Sequence, residues 1–174
     1  ILAIGRLTKQ KNFSFLIRCF KIIENKYPNK YILNILGEGE ERKNLEKLIF
    51  ELDLKNKVNL VGYKSDVKTY FKNSFCFVLS SLWEDPGFVL IEASHCRTPI
   101  LSSNAWPGPV ELIKDNFNGV TFESNNFESF LKKFRYFNQS INIKDLQLNS
   151  LKLSKKFSCF NHFSSFSKLL QKEV

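Results

Sequence analysis

Phe75-Cys76-Phe77-Val78-Leu79 is the longest uninterrupted apolar run in the chain. It is far shorter than the roughly 18 residues a membrane-spanning helix needs, and it lacks the alternation of a strand with one wet face. Such a run reads as a strand covered on both sides, as in a parallel sheet. Working outward, short strand-like segments recur at residues 1–4, 31–36, 58–61, 99–102 and 120–122. Helical spacing fills the gaps. Phe13, Leu16, Ile17, Phe20, Ile23 and Tyr27 fall at offsets of three and four, as do Leu45, Leu48, Ile49 and Leu52, and then Val67, Tyr70 and Phe71. Strand alternating with helix through the first 120 residues predicts repeated βαβ units, hence an α/β fold with an open parallel sheet and helices on both faces.

From about residue 125 the pattern is helical only. A soft boundary near Ser140 divides an expected domain, 1–140, from a C-terminal helical tail, 141–174. The tail carries Leu146, Leu148, Leu151, Leu153, Phe157, Phe160, Phe163, Phe166, Leu169 and Leu170, which reads as two amphipathic helices that pack on this sheet or on a neighbouring domain. The 174 residues are 43% apolar and 25% charged, a composition of folded rather than disordered chains. With no methionine and an opening on Ile1-Leu2-Ala3-Ile4, the sequence is expected to be a piece of a longer protein.

The net charge is +9 and unevenly spread: 13 cations against 7 acids in residues 1–64, 4 against 7 in 65–123, and 9 against 3 in 124–174. Basic ends fit phosphate-bearing partners, an anionic membrane face or a merely solvating surface. No sheet-exposed run of alternating Lys and aromatics marks a nucleic-acid binder, so none is expected. Cys19, Cys76, Cys96 and Cys159 show no C-x-x-C spacing. They read as reduced thiols at apolar positions in a cytoplasmic protein.

In open α/β sheets ligands bind beyond the carboxyl ends of the strands. Gly37-Glu38-Gly39 follows a strand, but Arg42 stands where the dinucleotide fingerprint needs glycine. There is no P-loop motif, and no D-x-D pair that could present two carboxylates to a diphosphate-bound cation. Three loops remain. In Gly5-Arg6-Leu7-Thr8-Lys9-Gln10-Lys11-Asn12 the glycine allows a turn, Asn12 is placed to cap a helix, and Arg6 and Lys11 either neutralise a diphosphate or sit in solvent. In Glu84-Asp85-Pro86-Gly87-Phe88-Val89-Leu90-Ile91-Glu92 a helix apolar on all faces begins at Phe88, leaving the amides of Gly87, Phe88 and Val89 as an anion site. Glu92, among apolar neighbours, needs a strong partner: sugar hydroxyls, a lysine, or the helix's own first amides. In Trp106-Pro107-Gly108-Pro109-Val110-Glu111, Gly108 as N-cap and Pro109 at the first helical position make a helix start that is sufficient on structural grounds alone.

Taken in order, Gly5-Arg6-Leu7 with Lys11, Leu36-Gly37-Glu38-Gly39 with Arg42, Leu45 and Glu46, residues 58–62, Glu84 with Glu92-Ala93 eight residues on, Thr98-Pro99, Glu111 and Asn118-Gly119 resemble the C-terminal half of family-4, or group 1, retaining glycosyltransferases of the GT-B fold. The resemblance covers roughly residues 1–123. It implies a Rossmann-like domain that binds a nucleoside-diphosphate sugar, with UDP the expected nucleotide, and transfers a hexosyl unit to a glycan or lipid-linked acceptor.

By that resemblance Arg6 and Lys11 hold the leaving diphosphate, so that no metal is required. Glu92 takes the ribose hydroxyls, Gly62 and Tyr63 border the base, and Glu84 with the amides of Gly87, Phe88 and Val89 meets the sugar and distal phosphate. The acceptor site belongs to an N-terminal domain outside this sequence, so the chain alone is expected to be inactive, and lipid-linked acceptors would bring it to the inner face of a membrane. Asp85-Pro86-Gly87 departs from the family's usual Gly-Phe-Gly, as do Arg97 and Trp106-Pro107-Gly108-Pro109, all where the donor sugar is sensed. A GT-B epimerase or phosphorylase and a non-catalytic binding module remain alternative readings.

Overall fold

A computed structural model describes residues 1–139, 142–157, 161, 163, 164 and 167. Its strands are β1 (Leu2–Ile4), β2 (Leu33–Leu36), β3 (Val58–Gly62), β4 (Phe77–Leu79), β5 (Trp83–Glu84), β6 (Ile100–Ser103), β7 (Trp106–Pro107) and β8 (Val120–Phe122). The helices are α1 (Phe13–Lys26), α2 (Arg42–Glu51), α3 (Lys68–Lys72), α4 (Phe88–His95), α5 (Gly108–Leu112), α6 (Phe127–Gln139) and α7 (Ile143–Lys156), with a short 3-10 turn at Lys9–Lys11. Six strands form one parallel sheet in the order β3-β2-β1-β4-β6-β8. The chain builds outward from β1 to β3, then returns to β4 on the other side of β1. The order therefore reverses between β1 and β4, where doubly wound sheets open a crevice.

Side-chain alternation accounts for the layers. Ala3, Leu33, Ile35, Val78, Leu101 and Val120 point to one face, into a core shared with Phe20 of α1, Leu48 of α2 and Phe130 of α6. Leu2, Phe77, Leu79 and Ile100 point to the other, against Phe71 of α3, Leu90 and Ala93 of α4 and Leu112 of α5. Phe77, Val78 and Leu79 are each at most 2% exposed, which is why β4 reads as an unbroken apolar run. Many of the 18 phenylalanines serve the first face. Phe130 lies edge-on to Phe15 and Phe122 and stacks with Phe134.

The predicted strands and first three helices stand where the spacing put them, to within one or two residues. Two local expectations change. Asn12 occupies the N-cap position of α1 in a left-handed conformation, but its side chain makes no cap bond; its amide donates to Asn125 Oδ1 at 3.0 Å. Gly108 is the first residue of α5 rather than its cap, which is Pro107. The segment starting at Phe88 is apolar through Ile91 as expected, and its burial is one-sided: Phe88 is exposed while Leu90, Ala93 and Ser94 are buried.

Helix α7, the first of the two expected tail helices, begins at a true side-chain cap: Asn142 Oδ1 accepts from the Asp145 amide. Leu146 is buried in the α1 and α6 layer. Further along, Ser150 donates to Ser94 Oγ of α4 at 2.7 Å, and Gln147 donates to the Arg97 carbonyl. Leu148, Phe157 and Phe163 remain exposed. Phe160, Phe166, Leu169 and Leu170, as well as Cys159, lie outside the described residues. Cys19 and Cys76 are buried free thiols and Cys96 is half-buried; burial pushes the Cys76 thiol up to about 12, so it is inert at neutral pH. Among the described residues no helix is long and apolar enough to cross a membrane.

Candidate functional site

The site is framed by backbone before any side chain is placed. After β1 and β2 the chain turns through Gly5-Arg6-Leu7 and Gly37-Glu38-Gly39, and these two turns lie directly on one another. The Gly5 amide donates to the Leu36 carbonyl, Leu7 to Glu38, and Glu41 back to Leu7. A Cβ on Gly37 would stand 2.0 Å from the Gly5 carbonyl oxygen, and one on Gly39 would stand 2.4 Å from that of Leu7. The two glycines that fail as a dinucleotide fingerprint are therefore required for another reason: they let the β1 turn seat on the β2 turn. The Gly37 amide in turn donates to the Gly62 carbonyl at the end of β3.

Over these turns opens a cavity of about 560 Å³ lined by Ile4, Gly5, Arg6, Leu36, Gly37, Glu38, Tyr63, Lys64, Ser65, Val67 and Glu92. It brings together Arg6, Tyr63 and Glu92, three of the residues expected from sequence. Gly62, the last residue of β3, directly precedes Tyr63 and has φ +82, but is not itself in the lining. Arg6 is exposed and makes no ion pair among the described residues. Glu38 on the opposite wall is claimed by Arg42, whose Nε and Nη2 both reach it at 2.7 Å. That fork holds the Glu38 carboxyl below the usual carboxylate range.

Glu92 has neither of the intramolecular partners that sequence allowed. No lysine and no first-turn amide reaches its carboxylate among the described residues; it opens into the cavity beside Ile4, Leu36 and Val67. Loss of water against these walls lifts its carboxyl above the ordinary glutamate value. Folding therefore favours the protonated form, so this stability contribution is present at acid pH and lost as pH rises through the raised value. Glu92→Gln, with no proton to release, is expected to gain stability relative to the parent between pH 4 and pH 7. Urea unfolding at both pH values checks this, and a constant difference would refute it.

Lys11 and Glu84 form a second group outside the cavity lining. Lys11 lays its methylenes over Gly5, where a Cβ would come within 2.9 Å of Cε. Its ammonium meets Glu84 Oε2 at 2.5 Å, and Ser81 Oγ donates to the same oxygen at 2.8 Å. Both side chains are largely shielded, at 14% and 10% exposed. Glu84 Oε1 has no partner among the described residues. Gly87 caps α4 at φ +80, and the Gly87, Phe88 and Val89 amides have no acceptor within the described residues, as expected for a helix start. Val89 is half-buried and Phe88 is exposed.

Sequence reasoning missed the β5–β7 ladder, in which Trp83 partners Trp106 and Glu84 partners Pro107. Gly108 would carry a Cβ 2.3 Å from the Pro86 carbonyl oxygen, so its glycine serves this contact between loops. Gly108 was the available signal, read there as a cap. No group of three or more His, Cys, Asp or Glu among the described residues could hold a metal ion.

The family described as "Glycosyl transferases group 1" matches residues 1–145. An uncharacterized glycosyltransferase of Methanocaldococcus jannaschii is 44% identical over 115 residues, 66% of this chain and 28% of that protein. The UDP-Gal:alpha-D-GlcNAc-diphosphoundecaprenol alpha-1,3-galactosyltransferase of Escherichia coli is 34% identical over 130 residues, 74% of this chain and 33% of that protein. Among solved structures, the pneumococcal O-GlcNAc transferase GtfA in complex with UDP and GlcNAc superposes with a TM-score of 0.87 at 18% identity, over 98% of this chain and 35% of that one. The chain thus spans about a third of the length of these proteins.

Proposed function

The chain belongs to the group 1 glycosyl transferases and carries one Rossmann-like domain of the GT-B type, and from that premise we propose that it is the donor-binding part of a retaining enzyme that transfers a hexosyl unit from UDP-sugar. The observation that carries this reading is the cavity over the β1 and β2 turns, where the Arg6 guanidinium and the Glu92 carboxylate, neither of them paired among the described residues, share one space with exposed Tyr63. A nucleoside diphosphate has the matching groups: an anion for Arg6, a ribose diol for Glu92 and a flat base for the Tyr63 side of the cavity, next to Gly62.

The diphosphate would then extend toward Lys11 and the α4 amides, and the hexose toward Glu84 Oε1 and the 85–88 turn. Catalysis on this reading is electrostatic: fixed cations and helix-terminal amides stand where charge develops on the departing diphosphate, with no metal or covalent nucleophile drawn from this domain. A glycan or lipid-linked acceptor is supported by relatives such as the E. coli galactosyltransferase, named for a diphosphoundecaprenol acceptor. On this proposal the acceptor is held by a further domain, and a lipid-linked acceptor places the enzyme at the cytoplasmic face of a membrane. Arg6 and Glu92, without partners among the described residues, favour donor binding over a bare structural module.

Calorimetry on the 174-residue chain tests the division of labour. Glu92→Gln is expected to weaken UDP and UDP-sugar alike, by about tenfold for a bidentate charged contact. Glu84→Gln is expected to weaken UDP-sugar more than UDP, since only the sugar reaches Oε1. Equal losses of both ligands in both variants would refute these roles, and absence of UDP binding in the parent chain would refute the donor reading itself.

A further inference from the structure

Trp83 and Trp106 are the only tryptophans in the chain, and the fold sets them side by side. They are register partners in the parallel β5–β7 ladder. Partners in such a pair project to the same side, from strands about 4.8 Å apart. Trp83 is 55% exposed and Trp106 70%, so two of the largest apolar side chains start from neighbouring backbone positions and reach into solvent. The ring contacts among the described residues run through phenylalanines and tyrosines and include neither indole.

The backbone under the indoles is firmly held. The Trp83 carbonyl accepts from Gln10 Nε2 at 2.9 Å, and the Leu82 amide donates to the Gln10 carbonyl. Ser103 Oγ bonds the Ser81 carbonyl, Ala105 is buried, and the Glu84 carboxylate is fixed by Lys11 and Ser81. The ladder thus presents the rings outward, and adjoining exposed apolar groups of this kind usually mark a contact site.

Charge selects the occupant. Residues 65–123 are the acidic third of an otherwise basic chain; exposed Asp85 directly follows β5, and exposed Glu111 lies in α5, which directly follows β7. An anionic membrane or a nucleic acid is disfavoured there. A ligand with one apolar face and many hydroxyls fits: C–H groups pack on the indoles while the hydroxyls meet carboxylates at the edge. We infer that Trp83 and Trp106 form a platform for a neutral pyranose ring of the acceptor glycan, a ring other than the one whose reacting hydroxyl the further domain holds. The assignment of that ring to an acceptor rests on the donor-binding reading above.

Because no other tryptophan is present, indole emission from the 174-residue chain reports on the platform directly. The probes are maltotriose, chitotriose and a β-1,4-linked galactotriose, each with and without saturating UDP, and UDP-glucose alone. At least one trisaccharide is expected to give a saturable change that persists with UDP bound. Trp106→Ala is expected to weaken it by about tenfold, the scale of one lost ring contact, while Trp106→Phe keeps it within about twofold. No emission response to any trisaccharide at tens of millimolar overturns the platform. Loss of calorimetric UDP-glucose binding in Trp106→Ala with UDP binding kept also overturns it, because the indoles would then serve the donor sugar. Calorimetric UDP binding, run in parallel, separates the two readings: its loss with the trisaccharide response intact removes the donor reading and leaves a sugar platform.

Discussion

Replacing Arg6 by alanine in the full-length enzyme is expected to lower kcat/KM by about 100-fold or more, the scale of losing a preorganised charge at a leaving group. The size follows from how the cations are disposed. Lys11 is already neutralised by Glu84, whereas Arg6 enters the cavity with no acidic partner among the described residues. The cations that line the cavity are therefore Arg6 and Lys64, and Arg6 sits on a turn anchored by the Leu36 and Glu38 carbonyls. Lys11→Ala is expected to be similarly damaging by a different route, because it also leaves Glu84 with Ser81 as its remaining partner. The rate of the parent enzyme is expected to survive EDTA. Steady-state kinetics with varied UDP-sugar checks these expectations, and wild-type rates in both single variants would refute the assignment.

The second large effect is on stability. Gly37→Ala is expected to cost about 3 kcal/mol or more, because it combines an unfavourable φ with a backbone collision that cannot relax. At φ +134 the new Cβ would sit 2.0 Å from the Gly5 carbonyl oxygen, and neither strand end is free to retreat from the sheet. Gly62→Ala provides the contrast. It also has a positive φ, but its Cβ would meet the end of the flexible Glu38 side chain at 3.0 Å, so about 1 kcal/mol is expected. Urea unfolding of the two variants ranks them, and similar midpoints would show that the seating of one turn on the other is not needed. Because Arg6 follows Gly5 directly, Gly37→Ala is also expected to weaken UDP binding in whatever fraction remains folded.

The contrast between these glycines shows where sequence reading stops. The six main strands were legible because parallel strands are buried on both faces and need unbroken apolar residues, as at Phe77-Val78-Leu79. Arg6 was visible because residues just past strand ends collect at one edge of a doubly wound sheet; Glu92, inside α4, stood out as a carboxylate among apolar neighbours, and Tyr63 came from the family resemblance alone. Lys11 meeting Glu84 was not legible, since 73 residues separate them and the short 3-10 turn decides where the lysine points. Nor was the β5–β7 pairing: two-residue strands carry no period, and their register depends on how two loops meet in space. Gly37, Gly39 and Gly108 were visible as glycines, but the carbonyls they accommodate belong to other parts of the chain.

The β5–β7 ladder has a consequence for anyone altering what this protein recognises. It splices the loop that opens α4 to the loop that opens α5, with Glu84 opposite Pro107 and Gly108 against Pro86. The two loops are therefore one inherited unit, although α4 and β6 lie between them in the chain. Grafting residues 83–87 from a relative without 106–109 would join mismatched halves and displace the carboxylate that steadies Lys11. Exchanged together as a paired cassette, they can diverge while Arg6 and Glu92, anchored on other elements, stay where they are.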